Sequence, residues 1–333
     1  RGVHREMKAL FYTGTQASEI RDTDAPVAAT GETLVDLAFC GICGSDMHAW
    51  HGKDARRVPP LILGHEAVGT ALNGPHAGKP VAINPLISCQ KCDFCQSGHP
   101  QLCAARELIG MRLPGAFAEQ VVVPDRNVTE IDAGLSFSDA ALAEPLAVAV
   151  RTVRVAIAHT ADAAARIVIL GGGAIGLLCA LVLKAYGRPH IRIAEPNALR
   201  RQRLDGLDIG ESYDPVAMPA ADSSADIVLD AVGSGITRMA ASAIVRPGGI
   251  IVHVGLEDSE PGLDTRRFTL QDITFTGTYC YRPDDFAEAL RLLTEGAVSG
   301  AGWTEIRDLD AGAQAFLDIH EGHAPPKIIL ATR

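Results

Sequence analysis

The sequence has no run of lysine or arginine dense enough to grip a phosphate backbone, and its 40 acidic side chains against 30 basic ones leave a formal charge of -10. Nucleic acid is therefore excluded as the expected partner. No apolar run crosses a bilayer cleanly either: the nearest candidate, "IVILGGGAIGLLCALVL" at residues 167–183, is at the short limit for a span and is broken early by four glycines. A strand, a turn and a helix suit it better. No signal peptide is expected from the opening "RGVHRE", which has neither an apolar centre nor a cleavage site. These residues, 1–6, are set aside as an expression remnant ahead of the strand-like "MKALFY" that starts at Met7. A cytoplasmic location without membrane attachment is expected, and thiols there stay reduced, so clustered cysteines point to metal rather than disulfides. Internal repeats and low-complexity tracts are absent too.

What is present is a chain of 333 residues, 47% hydrophobic, long enough for two domains. Up to about Pro124, short apolar runs ("ETLVDLAFC", "KPVAINPL", "FAEQVVVP") are punctuated by Gly, Pro and Asn, the texture of a β-rich, loop-rich domain. From about Asp139 the Ala-rich "SDAALAEPLAVAVRTVRVA" predicts one helix, capped by Ser138 or Asp139, at the domain boundary. Then come the strand-like runs "RIVIL", "HIRIA", "DIVLDAV" and "GIIVHVG", the first three separated by helix-period segments, which predicts parallel strands joined by crossover helices. After "ITFTGTY" a helix, "PDDFAEALRLLTEG", leads to a tail ending in the strand-like "KIILAT".

In "GGGAIG", Gly171, Gly173 and Gly176 have the G-x-G-x-x-G spacing between a strand and a helix. The first glycine makes the tight turn, the second lets backbone approach a pyrophosphate at the helix start near Ala174 and Ile175, and the third permits close packing. Glu195 ends the next strand nineteen residues after Gly176, placed to accept from ribose hydroxyls and to repel a 2'-phosphate, which favours NAD over NADP. Arg200 and Arg201 follow closely and argue the other way, unless they are solvated charges that at most stack on adenine.

Cys89, Cys92, Cys95 and Cys103 fall within fifteen residues in C-x2-C-x2-C-x7-C spacing. Four thiolates can close a tetrahedral zinc site and leave no position for substrate, which is a structural rather than a catalytic arrangement. An iron-sulfur cluster is the rival reading. A second set is dispersed: "CGICGSDMH" supplies Cys43, Ser45, Asp46 and His48, and "LGHE" supplies His65 and Glu66. One thiolate, one imidazole and nearby carboxylates suit a zinc that keeps one position for water or alcohol. Cys40 also forms C-x-x-C with Cys43, a redox spacing that here lacks the following helix, and Cys179 reads as core.

Together, "GICGSDMH", "LGHEAVG", the cysteine loop, "AEPLAVAV" and "GGGAIG" resemble the zinc-dependent medium-chain dehydrogenases, in the branch of sorbitol and L-idonate 5-dehydrogenases, over essentially all of residues 7–333. The resemblance implies an α/β fold: a GroES-like β-rich catalytic domain at 7–146 and 280–333, broken by a Rossmann NAD-binding domain at 147–279. It implies two Zn2+ per chain, one structural and one catalytic on Cys43 and His65, with Glu66 or Glu144 completing the ligands. Ser45 and His48 would form a proton relay, and Asp46 would orient the metal shell. Tyr279 and Cys280 are expected at the substrate, and Trp50 is either a wall of that pocket or a structural aromatic. In "TYCYR" Cys280 stands where the polyol branch usually carries arginine, Arg282 is displaced, and "GPHAGKP" and "MRLPGAFAEQ" are shorter than usual. The implied activity is NAD-linked oxidation of a secondary alcohol, polyol or aldonate by a homodimer or homotetramer. L-threonine 3-dehydrogenase, a simple alcohol dehydrogenase, and a non-catalytic NAD-binding redox sensor with structural zinc alone are the alternatives.

Overall fold

The computed structural model describes residues 5–333. The chain divides into two compact units, one holding the chain up to Glu144 together with Arg282–Arg333, the other Pro145–Tyr281.

In the first unit the strand Glu32–Gly41 alternates half-buried and buried residues along much of its length, so Val35 and Leu37 point into one core. It pairs antiparallel with Glu66–Ala71 and, on the other side, with Gln120–Pro124 at one end and Lys327–Ala331 at the other. The C-terminal strand thus returns to the N-terminal sheet, with Ile329 opposite Gly41. This sheet has seven strands, and a three-stranded sheet of Ala17–Asp24, Glu6–Gly14 and Leu61–Ile62 lies in the same unit. Phe117 and Phe316 are fully buried in the core and meet edge to face at 6.1 Å. Each such side chain removed from water stabilises the fold by about 1.5–3 kcal/mol. Of the six residues set aside as a remnant, 1–4 lie outside the described residues. The other two belong to the fold: Glu6 opens the first strand opposite Asp24, and the Arg5 carbonyl accepts from the Ala25 amide.

The second unit holds a six-stranded parallel sheet in the order Glu211–Tyr213, Ile191–Ala194, Ile167–Leu170, Ala225–Asp230, Val245–His253, Thr274–Gly277. The central strands Ile167–Leu170 and Ala225–Asp230 are buried throughout, which is why their sequences run apolar without alternation. Strand order reverses between those two, and ligands of such sheets bind at the carboxyl ends of the strands at that switch.

The long helix expected from Asp139 is two helices, Phe137–Ala140 and Ala143–Ile157. The cap is Ser136, not Ser138 or Asp139; its hydroxyl accepts from the Asp139 amide at 3.2 Å. Pro145 explains the break, since its ring displaces the carbonyl four residues earlier and is tolerated only in a first turn. Among the described residues, no helix is long and apolar enough to cross a membrane.

Candidate active site

The helix Gly44–Trp50 begins with a capping box in which a cysteine takes the place of serine: Cys43 Sγ accepts from the Ser45 amide at 3.5 Å, and the Asp46 carboxylate accepts from the Cys43 amide at 3.0 Å. Asp46 is fully buried, and its other oxygen accepts from the Gly64 amide at 3.4 Å and lies 3.5 Å from His65 Nδ1. One carboxylate therefore fixes both the helix that carries Cys43 and the turn before His65. That turn needs glycine: Gly64 has φ +95°, and a side-chain carbon there would sit 2.7 Å from the Phe117 ring. Burial disfavours charge on His65, yet Asp46 and Cys43 outweigh it and push the imidazole well above its ordinary range. The pocket attracts positive charge.

Ligand atoms of Cys43, His65 and Glu66 all lie within 4.8 Å of one another. Sulfur, nitrogen and oxygen donors at that spacing fit a zinc ion that keeps a position open. Glu66 is fully buried, and both its oxygens accept from Lys327 Nζ, at 2.8 and 2.7 Å. Lys327 is 3% exposed and also donates to the Ile42 carbonyl at 2.9 Å. Burial opposes its charge, but Glu66, Cys43 and Glu144 raise its pKa. Glu144, in the first turn of Ala143–Ile157, acts on that ammonium without joining the three-residue cluster.

Ser45 and His48 are one helical turn apart and half-buried, so hydroxyl and imidazole share a face. Ser45 Oγ accepts from Arg57 Nη2 at 3.2 Å. Trp50, read as either a pocket wall or a structural aromatic, is 1% exposed and packs on Phe316 at 6.0 Å. It is a core residue, with almost no surface left for a ligand to touch. Tyr279 and Cys280 are half-buried and belong to the other unit, just after its last strand; Cys280 has φ +46°.

The sulfurs of Cys89, Cys92, Cys95 and Cys103 also lie within 4.8 Å of one another, with Cys92–Cys95 at 3.5 Å and Cys89–Cys95 at 3.9 Å. Tetrahedral zinc–sulfur bonds of about 2.3 Å place sulfurs about 3.8 Å apart, so this set fits zinc as it stands. Amides of Lys91 and Cys92 pull Cys89 down to about 6. Cys92 moves the other way: the Cys95 amide lowers it, but burial and the neighbouring sulfurs push it up to about 11. A cation between them is what would draw all four sulfurs to the thiolate form.

In the second unit the three glycines divide their work. Gly171 has φ +97°, and a side-chain carbon there would meet Val232 at 2.6 Å. Gly176 has no room for one because the Gly171 carbonyl occupies the space, whereas one at Gly173 would meet nothing within 4 Å. Gly173 is also the N-cap of Ala174–Ala185 without any side-chain cap, so amides of Ala174 and Ile175 open that helix beside free space. Glu195 is 4% exposed and accepts from Gly172 N at 2.9 Å and Asn197 N at 2.8 Å. Each oxygen keeps a lone pair for a ribose hydroxyl. The Arg200 amide donates to Asn197 Oδ1, and Arg201 is absorbed by the fold, donating to the carbonyls of Glu195 and Pro196 beside Asp214.

Sequence reasoning missed Lys327 and Arg57. A lysine heading the apolar "KIILA" strand was the available signal for the first, since a charge entering a buried strand needs a partner. Nothing local marked Arg57.

Residues 29–133 match the family described as "Alcohol dehydrogenase GroES-like domain", and residues 174–295 match "Zinc-binding dehydrogenase". The chain is 31% identical over 307 residues to 2-dehydro-3-deoxy-L-galactonate 5-dehydrogenase of Pseudoalteromonas atlantica, covering 88% of this chain and 89% of that one. It is 31% identical over 293 residues to L-galactonate-5-dehydrogenase of Escherichia coli K12, covering 84% and 85%. In fold it resembles acetophenone reductase of Geotrichum candidum, solved in complex with NAD, at a TM-score of 0.89 and 21% identity over 99% of this chain and 98% of the other.

Proposed function

The chain belongs to the zinc-dependent medium-chain dehydrogenases, and on that premise we propose that it oxidises a secondary hydroxyl of an aldonate or related polyol with NAD. The observation that carries this reading is the mixed cluster of Cys43, His65 and Glu66 in a unit that also holds a complete four-sulfur set. A structural site needs one of these; an enzyme needs the incomplete one as well. The galactonate substrates named for two relatives direct the choice toward sugar acids.

Cys43, His65 and Glu66 would hold the catalytic zinc, with Glu144 as the alternative carboxylate, and Cys89, Cys92, Cys95 and Cys103 the structural one. Bound there, zinc supplies Lewis acidity toward an alcohol oxygen, and NAD at the glycine turn supplies the hydride acceptor. The chain supplies the rest. Ser45 takes the alcohol proton while its own proton passes to His48 on the same helix face. Asp46 keeps His65 and the Cys43 turn in place, and Lys327 neutralises Glu66. Gly171, Gly173, Gly176, Ala174 and Ile175 would receive the pyrophosphate, and Glu195 the ribose, with Arg200 beside the adenine and Tyr279 and Cys280 near the substrate. We assign a homodimer or homotetramer in the cytoplasm.

The test is an NAD(H)-coupled screen of aldonates, polyols, L-threonine and simple secondary alcohols, with zinc counted per chain. Turnover on an aldonate or polyol with two zincs is expected, with NAD preferred over NADP by about tenfold or more, as one repelled charge implies. One zinc per chain and no turnover would sink the reading.

A further inference from the structure

Arg57 is a charged residue buried to 2% exposure inside the first unit, and every arm of its guanidinium is engaged. Nε donates to the Gly110 carbonyl at 2.8 Å, Nη1 to Asp54 Oδ2 at 2.6 Å, and Nη2 to Ser45 Oγ at 3.2 Å. Two of these anchors explain its position. Asp54 is itself gripped by the Arg56 fork, at 2.9 and 3.0 Å. Although burial opposes its charge, Arg56 and Arg57 hold Asp54 down to about 2, so it stays an anion. The third contact, to a half-buried serine hydroxyl, contributes little to holding an already paired arginine, yet it determines what that hydroxyl can do.

A serine hydroxyl has one proton to give and two lone pairs, whereas a guanidinium only gives. The contact therefore has one polarity: Ser45 Oγ accepts from Arg57. One lone pair is spent, and what remains is one lone pair and one O–H. A relay between an alcohol and an outer base needs both at once. We propose that Arg57 is the positioning residue of the Ser45 relay, fixing the hydroxyl so that its free lone pair receives the substrate proton and its own proton points onward. This inference rests on the dehydrogenase reading and deepens it.

The balance is that of an alcohol oxidation. The O–H proton of the substrate moves to Ser45 Oγ, the proton of Ser45 leaves to the next acceptor, His48 in our assignment, and the carbinol hydrogen passes with its electron pair to NAD+. A ketone, NADH and one released proton result. Arg57 exchanges no proton and touches no substrate: it removes the orientations of the Ser45 hydroxyl in which the transfer stalls.

A double-mutant cycle separates this from a purely structural clamp on the loop 51–60. In the wild-type background Arg57→Met is expected to lower kcat about tenfold or more, within the range of a general acid-base contribution, with KM changed far less. In a Ser45→Ala background, where the hydroxyl is gone, the same change should alter the residual kcat less than about twofold. Arg57→Lys, which still offers a donor, should recover part of kcat in the wild-type background and nothing in Ser45→Ala. If Arg57→Met fails to fold or to hold two zincs, Arg57→Lys carries the cycle, with a smaller loss again confined to the serine background. Equal factors in both backgrounds would overturn the inference and leave Arg57 as a loop clamp. A zinc-loaded wild type without NAD-linked turnover would overturn the dehydrogenase reading and this inference with it, and that outcome is seen before any variant is made.

Discussion

The first unit builds two sulfur-bearing clusters, and they are held by different means. The cysteine loop gathers all its donors from Cys89 to Cys103, with three of the four only half-buried, and the bonds to its sulfurs come from neighbours in the same loop, such as Cys89 N to Cys103 Sγ at 3.5 Å. The mixed cluster takes Cys43 from a helix cap, His65 from a turn and Glu66 from the first position of the strand Glu66–Ala71. It is braced by fully buried Asp46 and by a lysine 261 residues from Glu66 in the sequence. A local, complete donor set needs little from the fold. A dispersed, incomplete set exists only because the fold holds it, and its missing donor leaves a place for substrate. Stability and turnover should therefore separate when the two are broken one at a time.

The largest expected effect is on turnover. Cys43→Ala should lower kcat/KM by on the order of 10³-fold or more, the several kcal/mol that Lewis acid stabilisation supplies, while one zinc remains and stability falls only by about the 1 kcal/mol of a lost helix cap and the binding of one metal. Unaltered kcat/KM in that variant would remove the mixed cluster from the chemistry. Cys92→Ala reverses the pattern. It opens the closed set, and because metal affinity is folding free energy, we expect zinc to fall to one per chain and the protein to lose about 3–5 kcal/mol, read by denaturant titration. Its remaining folded fraction should keep turning over; a stable two-zinc Cys92→Ala protein contradicts the structural assignment.

Lys327→Met tests the boundary between the two kinds of cluster. Without the ammonium, Glu66 is left charged and buried, a loss of about 3 kcal/mol in the zinc-free protein. Zinc should restore part of it, because the metal supplies the lost positive charge, and a Glu66 released from Lys327 can bind with its second oxygen as well and so fill the position that alcohol needs. Stability that recovers with zinc while kcat stays depressed is the expected signature, measured by melting with and without added metal beside steady-state rates. Equal destabilisation with and without zinc would show that Lys327 serves packing alone.

The same contrast explains what could be read from the chain beforehand. The cysteine loop and the glycine turn are contiguous, so spacing alone exposed them, and the helix cap placed Cys43, Ser45, Asp46 and His48 together for the same reason. Lys327 was invisible because its partner is decided by where the C-terminal strand pairs, opposite Phe39, Cys40 and Gly41. Arg57 was invisible because it reaches Ser45 and Gly110 through an irregular loop that no periodicity describes. The split just ahead of Pro145 was legible: a proline inside an Ala-rich helical pattern marks the first turn of a new helix.

The smallest expected effect concerns Trp50, which ends the helix that Cys43 begins. A position in the pocket would make its replacement a matter of KM, and a position in the core makes it a matter of packing. Its ring lies against Phe316 and 5.7 Å from His320, and its indole Nε1 is buried with no hydrogen-bond partner. Trp50→Phe removes that orphaned donor, which was desolvated for nothing, and leaves a void of a few atoms, so the two effects oppose each other. The net change should be about 1 kcal/mol in either direction by denaturant titration, with KM within about threefold of wild type. A KM shift of tenfold or more at unchanged stability would return Trp50 to the substrate and extend the open cluster's reach to the far end of its helix.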